Sequence, residues 1–129
     1  MIRNQLSVFI ENRNGQLCEI TGILADKGIN LEALNIAETV DYGVLRLIVS
    51  DEDSAIAALK ENDYVISVNP VNMVKVPNVP GGLFSVLKKI TAANIGIEYM
   101  YSIFGELNGS AQMIMRVADP DLLEKVVSQ

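Results

Sequence analysis

The chain has 129 residues, 10 of them basic and 16 acidic, with no histidine and a formal net charge of −6. Half of the residues are hydrophobic and a fifth are charged, which fits a packed core and excludes a disordered chain. One cysteine and no imidazole exclude an internal disulfide, a zinc site of the usual N/S kind, and Cys-His or Ser-His-Asp chemistry.

The longest uncharged stretch, Val76 to Leu87, is far shorter than the roughly 18 to 20 apolar residues of a membrane span and contains two prolines. The first residues, Met1-Ile2-Arg3-Asn4-Gln5, open no apolar signal region, so a cytoplasmic location without membrane association is the expectation. Residues 1 to 69 carry 5 basic and 11 acidic side chains, while residues 70 to 129 carry 5 of each. This unevenness coexists with an internal repeat. At an offset of 66, Val8 meets Val74, Asn12 meets Asn78, Gly15 meets Gly81, Leu17 meets Leu83, Ile29 meets Ile95 and Glu32 meets Glu98. Beyond the central hairpin the offset becomes 68, pairing Val49 with Val117, Asp51 with Asp119 and Asp53 with Asp121.

Taken in chain order, Leu6 to Ile10 reads as a short strand ending in the turn Asn12-Arg13-Asn14-Gly15. Leu17, Ile20 and Leu24 then recur at helical spacing, and the helix stops at Gly28, where a residue with positive φ is wanted. Ile29 to Thr39 and Val44 to Val49 form two strands joined near Asp41-Tyr42-Gly43. Asp51 or Asp53 caps a second helix carrying Ala55, Ile56 and Leu59, and Tyr64 to Val68 is the last strand of the first copy. Pro70 to Asn72 reads as a short linker. In the second copy Leu83, Val86, Leu87 and Ile90 mark the first helix and Asn94 its stop, since asparagine also tolerates the left-handed conformation. Ile95 to Phe104 and Ala111 to Val117 form a hairpin around Asn108-Gly109, and Asp119-Pro120 opens the helix of Leu122, Leu123 and Val126. The residues end where the matching last strand should begin. The implied fold class is α+β: a ferredoxin-like βαββαβ sandwich in two tandem copies, 1–69 and 70–129, the second lacking its last strand. Such a copy leaves an open sheet edge, which either invites pairing with another chain or marks a shortened chain.

The candidate functional elements are the turns between first strand and first helix of each copy. N–H groups at a helix start lack intrahelical partners and sit at the positive end of the dipole, so a carboxylate is stabilised there. Glycine admits a ligand close to the main chain, and an asparagine side chain offers both an acceptor for an ammonium and a donor for a carboxylate. Turn formation alone also explains Asn and Gly here. The stretch Glu11-Asn12-Arg13-Asn14-Gly15-Gln16-Leu17, followed by Ala25-Asp26-Lys27-Gly28-Ile29-Asn30, resembles the ACT domain family of amino-acid-sensing regulatory modules. In that pattern Asn-Arg-Pro-Gly-x-Leu opens the helix and Gly-Ile/Val-Asn-Ile follows it; Asn14 stands here in place of the proline.

The resemblance implies a ligand site at Asn12, Asn14, Gly15, Gln16, Leu17, Asn30 and Leu31, and in the second copy at Asn78, Pro80, Gly81, Gly82 and Leu83. In the ACT domain of phosphoglycerate dehydrogenase the asparagines matching Asn12 and Asn30 contact serine across a domain interface. Gly96 stands where Asn30 has its counterpart, so the second site is differently furnished. The resemblance also implies a non-catalytic module without cofactor or metal, which binds a free amino acid between ACT domains, forms a homodimer and regulates a separate enzyme. A purely structural assembly protein is the alternative, and an acylphosphatase-like enzyme using Arg13 and Asn35 a weaker one. Nucleic-acid recognition is disfavoured, because Val44 to Val49 and Met113 to Val117 carry no aromatic platform and the net charge is negative. Cys18 is expected to be a buried structural thiol, Met100, Met113 and Met115 core fillers, and Asp51-Glu52-Asp53 a helix-start acidic cluster.

Overall fold

The computed structural model describes residues 1–11, 13–38, 42–105 and 110–128. The elements in chain order are β1 (Ile2–Glu11), α1 (Gln16–Asp26), β2 (Leu31–Glu38), β3 (Tyr42–Val49), α2 (Glu52–Glu61), β4 (Val65–Pro77), α3 (Gly82–Ala92), β5 (Ile97–Ser102), β6 (Ser110–Val117) and α4 (Pro120–Val127). They form two compact units: one comprises Asn4–Asn69, the other Met1–Arg3 together with Pro70–Gln129.

In the first unit the strands are ordered β2-β3-β1-β4, with β3 antiparallel to both β1 and β2. Alternation along the strands sends Leu6 and Val8 of β1 and Leu45, Leu47 and Val49 of β3 to one face, where they meet Ile20 and Leu24 of α1 and Ala55 and Leu59 of α2. The helical spacing of Ile20, Leu24 and the half-buried Leu17 is therefore the face that packs. In the second unit β5 and β6 are antiparallel, as are β6 and β4, and Val74, Met115, Val117, Ile90 and Leu123 form the core. Met100 and Met113 pack against that core as fillers.

The repeat is visible element by element. Helices α1 and α3 are offset by 66, strands β3 and β6 and helix starts α2 and α4 by 68. Even the ladder irregularity recurs, between Leu31 and Ala33 in the first unit and between Ile97 and Tyr99 in the second. Gly28 and Asn94 take φ of 69° and 59°, and each helix closes with the same paired bonds. Gly28 N–H reaches Ala25 O at 3.0 Å and Ile29 N–H reaches Leu24 O at 3.0 Å; Asn94 N–H reaches Thr91 O at 2.9 Å and Ile95 N–H reaches Ile90 O at 3.2 Å. Asp63, φ 65°, closes α2 likewise. Asp51 and Asp119 cap α2 and α4, accepting from Ser54 N–H at 3.2 Å and Leu122 N–H at 3.1 Å.

Three expectations are corrected. Pro70–Asn72 is no linker: β4 runs unbroken from Val65 to Pro77, because the extended conformation suits proline and Val71 and Asn72 are fully buried. Tyr42 and Gly43 lie in β3 and not in a turn, with Gly43 so close to Ile10 that an added Cβ would sit 3.1 Å from its side chain. Cys18 is exposed, since it falls on the side of α1 opposite Ile20 and Leu24. The turn residues Asp41, Asn108 and Gly109 lie outside the described residues.

Among the described residues, the position beside β4 in the second unit is held by the first residues of β1. Met73 N–H donates to Met1 O at 2.7 Å, and the Met1 amino group is paired with Glu124 Oε2 at 2.5 Å. Asn72, fully buried, donates from Nδ2 to Pro120 O at 2.9 Å and to Glu124 Oε1 at 3.1 Å. Burial works to raise the Glu124 carboxyl, but the Met1 amine and the Asn72 amide outweigh it and hold the group below its ordinary 4.5. The stabilisation this carboxylate contributes is therefore present above about pH 4.5 and is lost as the pH falls through the lower folded value. Glu124→Gln is expected to cost about 1 kcal/mol at pH 7 and to show a smaller drop in urea midpoint between pH 7 and pH 3 than the parent chain.

Candidate functional site

The turn from β1 into α1 reverses the chain through Gly15, whose φ of 85° and ψ of −7° are left-handed; Gly81 does the same before α3 with 81° and −2°. Both glycines are N-cap residues, so neither helix is capped by its N-cap side chain, in contrast to the Asp-capped α2 and α4. The first-turn N–H groups that a cap would serve are thus left to an acceptor from outside the helix.

Asn12 lies outside the described residues. Asn14 and Gly15 are exposed, Leu17 is half-buried, and Gln16 is buried at 6% exposure. Asn30 is exposed at the other end of α1, where its N–H donates to Ser50 Oγ and its carbonyl accepts from Ser50 N–H, both at 3.0 Å. Leu31 begins β2 beside it. An 11-residue helix is about 16 Å long, so the Gly15 turn and Asn30 face opposite ends of the unit. One unit does not bring them together.

The first turn instead borders a cleft of about 360 Å³ shaped by the end of β1, the start of α1 and the turn from α2 into β4. Tyr64 Oη donates to Glu19 Oε1 at 2.8 Å, and Arg13 Nη2 donates to Glu19 Oε2 at 3.3 Å. Glu11 adds a longer ion pair to Arg13, 3.9 Å. The tyrosine hydrogen bond first, and then that of Arg13, hold the Glu19 carboxyl below its ordinary value. Burial, and then donation to Glu19, push the Tyr64 phenol up, partly offset by the Gln16 amide donating to Tyr64 Oη. With its NH₂ so engaged, Gln16 keeps Oε1 buried and without a hydrogen-bond partner.

The second turn is furnished differently. Asn78, Pro80, Gly81 and Leu83 are exposed, and Gly82, at the position of Gln16, is buried. A Cβ on Gly82 would stand 1.9 Å from Pro77 O, so the backbone of the preceding strand occupies the space that a side chain takes in the first unit. Glu19, Asp63 and Tyr64 escaped the sequence reading. Tyr64 and Glu19 are 45 residues apart, and only the fold places a strand start against a helix start. Arg13 and Asn35 are committed to different partners, since Asn35 Oδ1 accepts from Arg46 Nη1 at 3.0 Å on the sheet. Among the described residues no group of three metal-ligating side chains is assembled, and no helix is long and apolar enough to cross a membrane.

A βαββαβ unit followed by a βαββα repeat, each with a glycine-led first helix that its N-cap side chain does not cap, agrees with the model of the ACT domain pair, which matches residues 1–129. The chain belongs to the ACT domain pair family. It is similar to protein BT0572 from Bacteroides thetaiotaomicron, with 44% identity and a TM-score of 0.91 over 99% of this chain and 88% of that one. It also shares its fold with the ligand-free regulatory subunit of aspartate kinase from Thermus thermophilus, at 14% identity and a TM-score of 0.66, covering 100% of this chain and 96% of that one. The corresponding subunit from Thermus flavus aligns at 11% identity with a TM-score of 0.63, over 100% and 94%.

In this ACT domain pair the Tyr64 hydrogen bond is the largest of the effects that lower the Glu19 carboxyl. Tyr64→Phe is expected to shift the Glu19 carboxyl titration upward, read by NMR of the side-chain carboxyl, because the group's largest source of stabilisation as an anion is removed.

Proposed function

We propose that this ACT domain pair is a regulatory module that binds a free amino acid between ACT domains and passes the signal to a separate enzyme, without catalysing a reaction itself. The supporting observation is the pair of left-handed glycine turns, Gly15 and Gly81, which leave the first-turn N–H groups of α1 and α3 uncapped at the positive end of each helix. The effector's carboxylate sits at such a start. Its ammonium meets asparagine carbonyls, with Asn12, Asn14, Gly15, Gln16 and Leu17 supplied by one domain and Asn30 and Leu31 by another. The separation of those groups along α1 favours an interface over a site within one unit. A homodimer, in the cytoplasm, supplies the second domain.

The second turn, Asn78, Pro80, Gly81, Gly82 and Leu83, presents the same helix start with less side-chain chemistry. Family membership supports the regulatory reading, and the fold shared with regulatory subunits of aspartate kinase is in keeping with an enzyme partner. Linkage then requires that the effector and the partner each bias one arrangement, a coupling of about 1 to 3 kcal/mol.

A thermal-shift panel of the common amino acids tests this. A ligand at 100 times its Kd adds about 2.7 kcal/mol, which raises Tm by several degrees. Asn30→Ala and Asn12→Ala are expected to reduce the response to the active amino acid, and Asn78→Ala reports on the second turn. No shift with any amino acid returns the chain to the assembly reading.

A further inference from the structure

We infer that the outer face of α3 is a docking surface for a second copy of this chain, and that it meets the outer face of that copy's α1. Phe84, Leu87, Lys88, Thr91 and Ala92 line a shallow groove of about 400 Å³ along α3. Phe84 is 66% exposed, with Lys88 Nζ 5.6 Å from its ring centroid. The spacing of Phe84, Leu87, Lys88 and Thr91 places all four on one ridge of the helix. A ring this exposed adds little to the core of its own unit, and burying it against another helix removes apolar surface from water.

Charge selects the occupant. Helix α3 carries Lys88 and Lys89 and no acidic residue, whereas α1 carries Glu19 and Asp26 and no basic one. Two α3 helices face to face set like charges against each other, and so do two α1 helices; α3 on α1 sets lysines against carboxylates. The other two helices mix the signs, with Lys60 in α2 and Lys125 in α4 beside their acidic residues.

Shape agrees with charge. At the offset of 66, Phe84, Lys88 and Thr91 correspond to Cys18, Gly22 and Ala25, all three exposed, so the second copy is large where the first is small. Gly22 lies inside α1, where glycine is a poor helix former. Among the described residues, a Cβ there would meet nothing within 4 Å, so the fold of the unit itself does not require glycine. Close approach of a second helix gives it a use. With the two helices antiparallel, Phe84 lies over Ala25, Leu87 at Gly22 and Thr91 over Cys18, and the helix dipoles are opposed. Each helix has only 11 residues, so one such contact belongs at the small, transient end of protein interfaces. The inference does not rest on the effector reading, because it uses the outer helix faces and neither the glycine turns nor Asn30.

The test uses Cys18, the chain's single cysteine, as one half of a disulfide. Thr91→Cys supplies the other half on α3 while keeping Phe84, Leu87 and Lys88. Oxidation of the full chain with diamide, followed by non-reducing electrophoresis and mass spectrometry of the linked peptides, is expected to give an interchain bond between Cys18 and the introduced thiol. That bond is expected to form at least tenfold faster than in Ala57→Cys, which places an exposed thiol on α2 instead. Gly22→Lys, which improves helix propensity but fills and recharges the contact, is expected to slow the Thr91→Cys link at least tenfold. A rate equal to that of Ala57→Cys overturns the inference, as does a rate untouched by Gly22→Lys. So does a bond closed within one chain, or a dimer that survives Cys18→Ala by joining two introduced thiols. A specific link without any amino-acid response leaves this surface standing and removes the effector reading; the reverse result does the opposite.

Discussion

The turn at Gly15, and its copy at Gly81, is the constraint from which the rest of each unit is built. The chain leaves a strand and within a few residues must run back across the sheet as a helix. That reversal passes through a backbone conformation with φ above 80°, which costs an L side chain about 1–2 kcal/mol and costs glycine little. The reward is the docking of α1 on its sheet through Ile20 and Leu24, fully buried, and of α3 through Ile90. The same geometry prevents the N-cap residue from capping its own helix. Packing and the uncapped helix start are two results of one turn: the conformation that lets the apolar face pack also places at the N-cap a residue with no side chain to cap the helix.

Two copies of that turn have diverged in what surrounds them. In the first, a glutamine fills the position after the glycine, and its side chain is drawn inward by Tyr64. In the second, Val76-Pro77 brings a carbonyl to within 1.9 Å of where a Cβ would be, so only glycine fits. The charge follows the same division, since the acidic excess belongs entirely to residues 1 to 69. A duplicated fold therefore keeps its punctuation, the left-handed residues and Asp caps, while the chemistry between the punctuation marks changes. Gly28 and Asn94 illustrate the rule, because different residues adopt the same φ and close their helices with the same two hydrogen bonds.

Such punctuation is what a sequence displays best. The offsets of 66 and 68, the helix stops and the Asp119-Pro120 start are all local in sequence, and each is dictated by backbone sterics or by an orphaned N–H group. Features that depend on distant neighbours were not legible. Pro70 reads locally as a break, yet the extended φ it imposes is also that of a strand, and the burial of Val71 and Asn72 carries β4 through. Cys18 looks apolar enough for the interior, but its position on α1 is set by Ile20 and Leu24, which claim the buried side first. The Tyr64 to Glu19 contact leaves no trace in the local pattern around either residue. Of the candidate site, the glycine and glutamine positions could be read from the letters; the partner that orients the glutamine could not.

The second unit shows how a strand edge is covered by residues distant in sequence. An uncovered edge presents unpaired N–H and C=O groups, a template for association. In this chain the edge of β4 is met by Met1–Arg3, through the Met73 N–H bond to Met1 O and the ion pair of Met1 with Glu124. The contact spans 72 residues, so it can form only after a long loop closes. Closure entropy grows slowly with length, so the final stability loses little, whereas the rate of forming such a non-local pairing loses more. The second unit accordingly draws on residues that are distant in sequence. Glu124 secures that contact: burial works against its charge, but the Met1 amine and then the Asn72 amide, 3.1 Å away, hold it below its ordinary value as an anion.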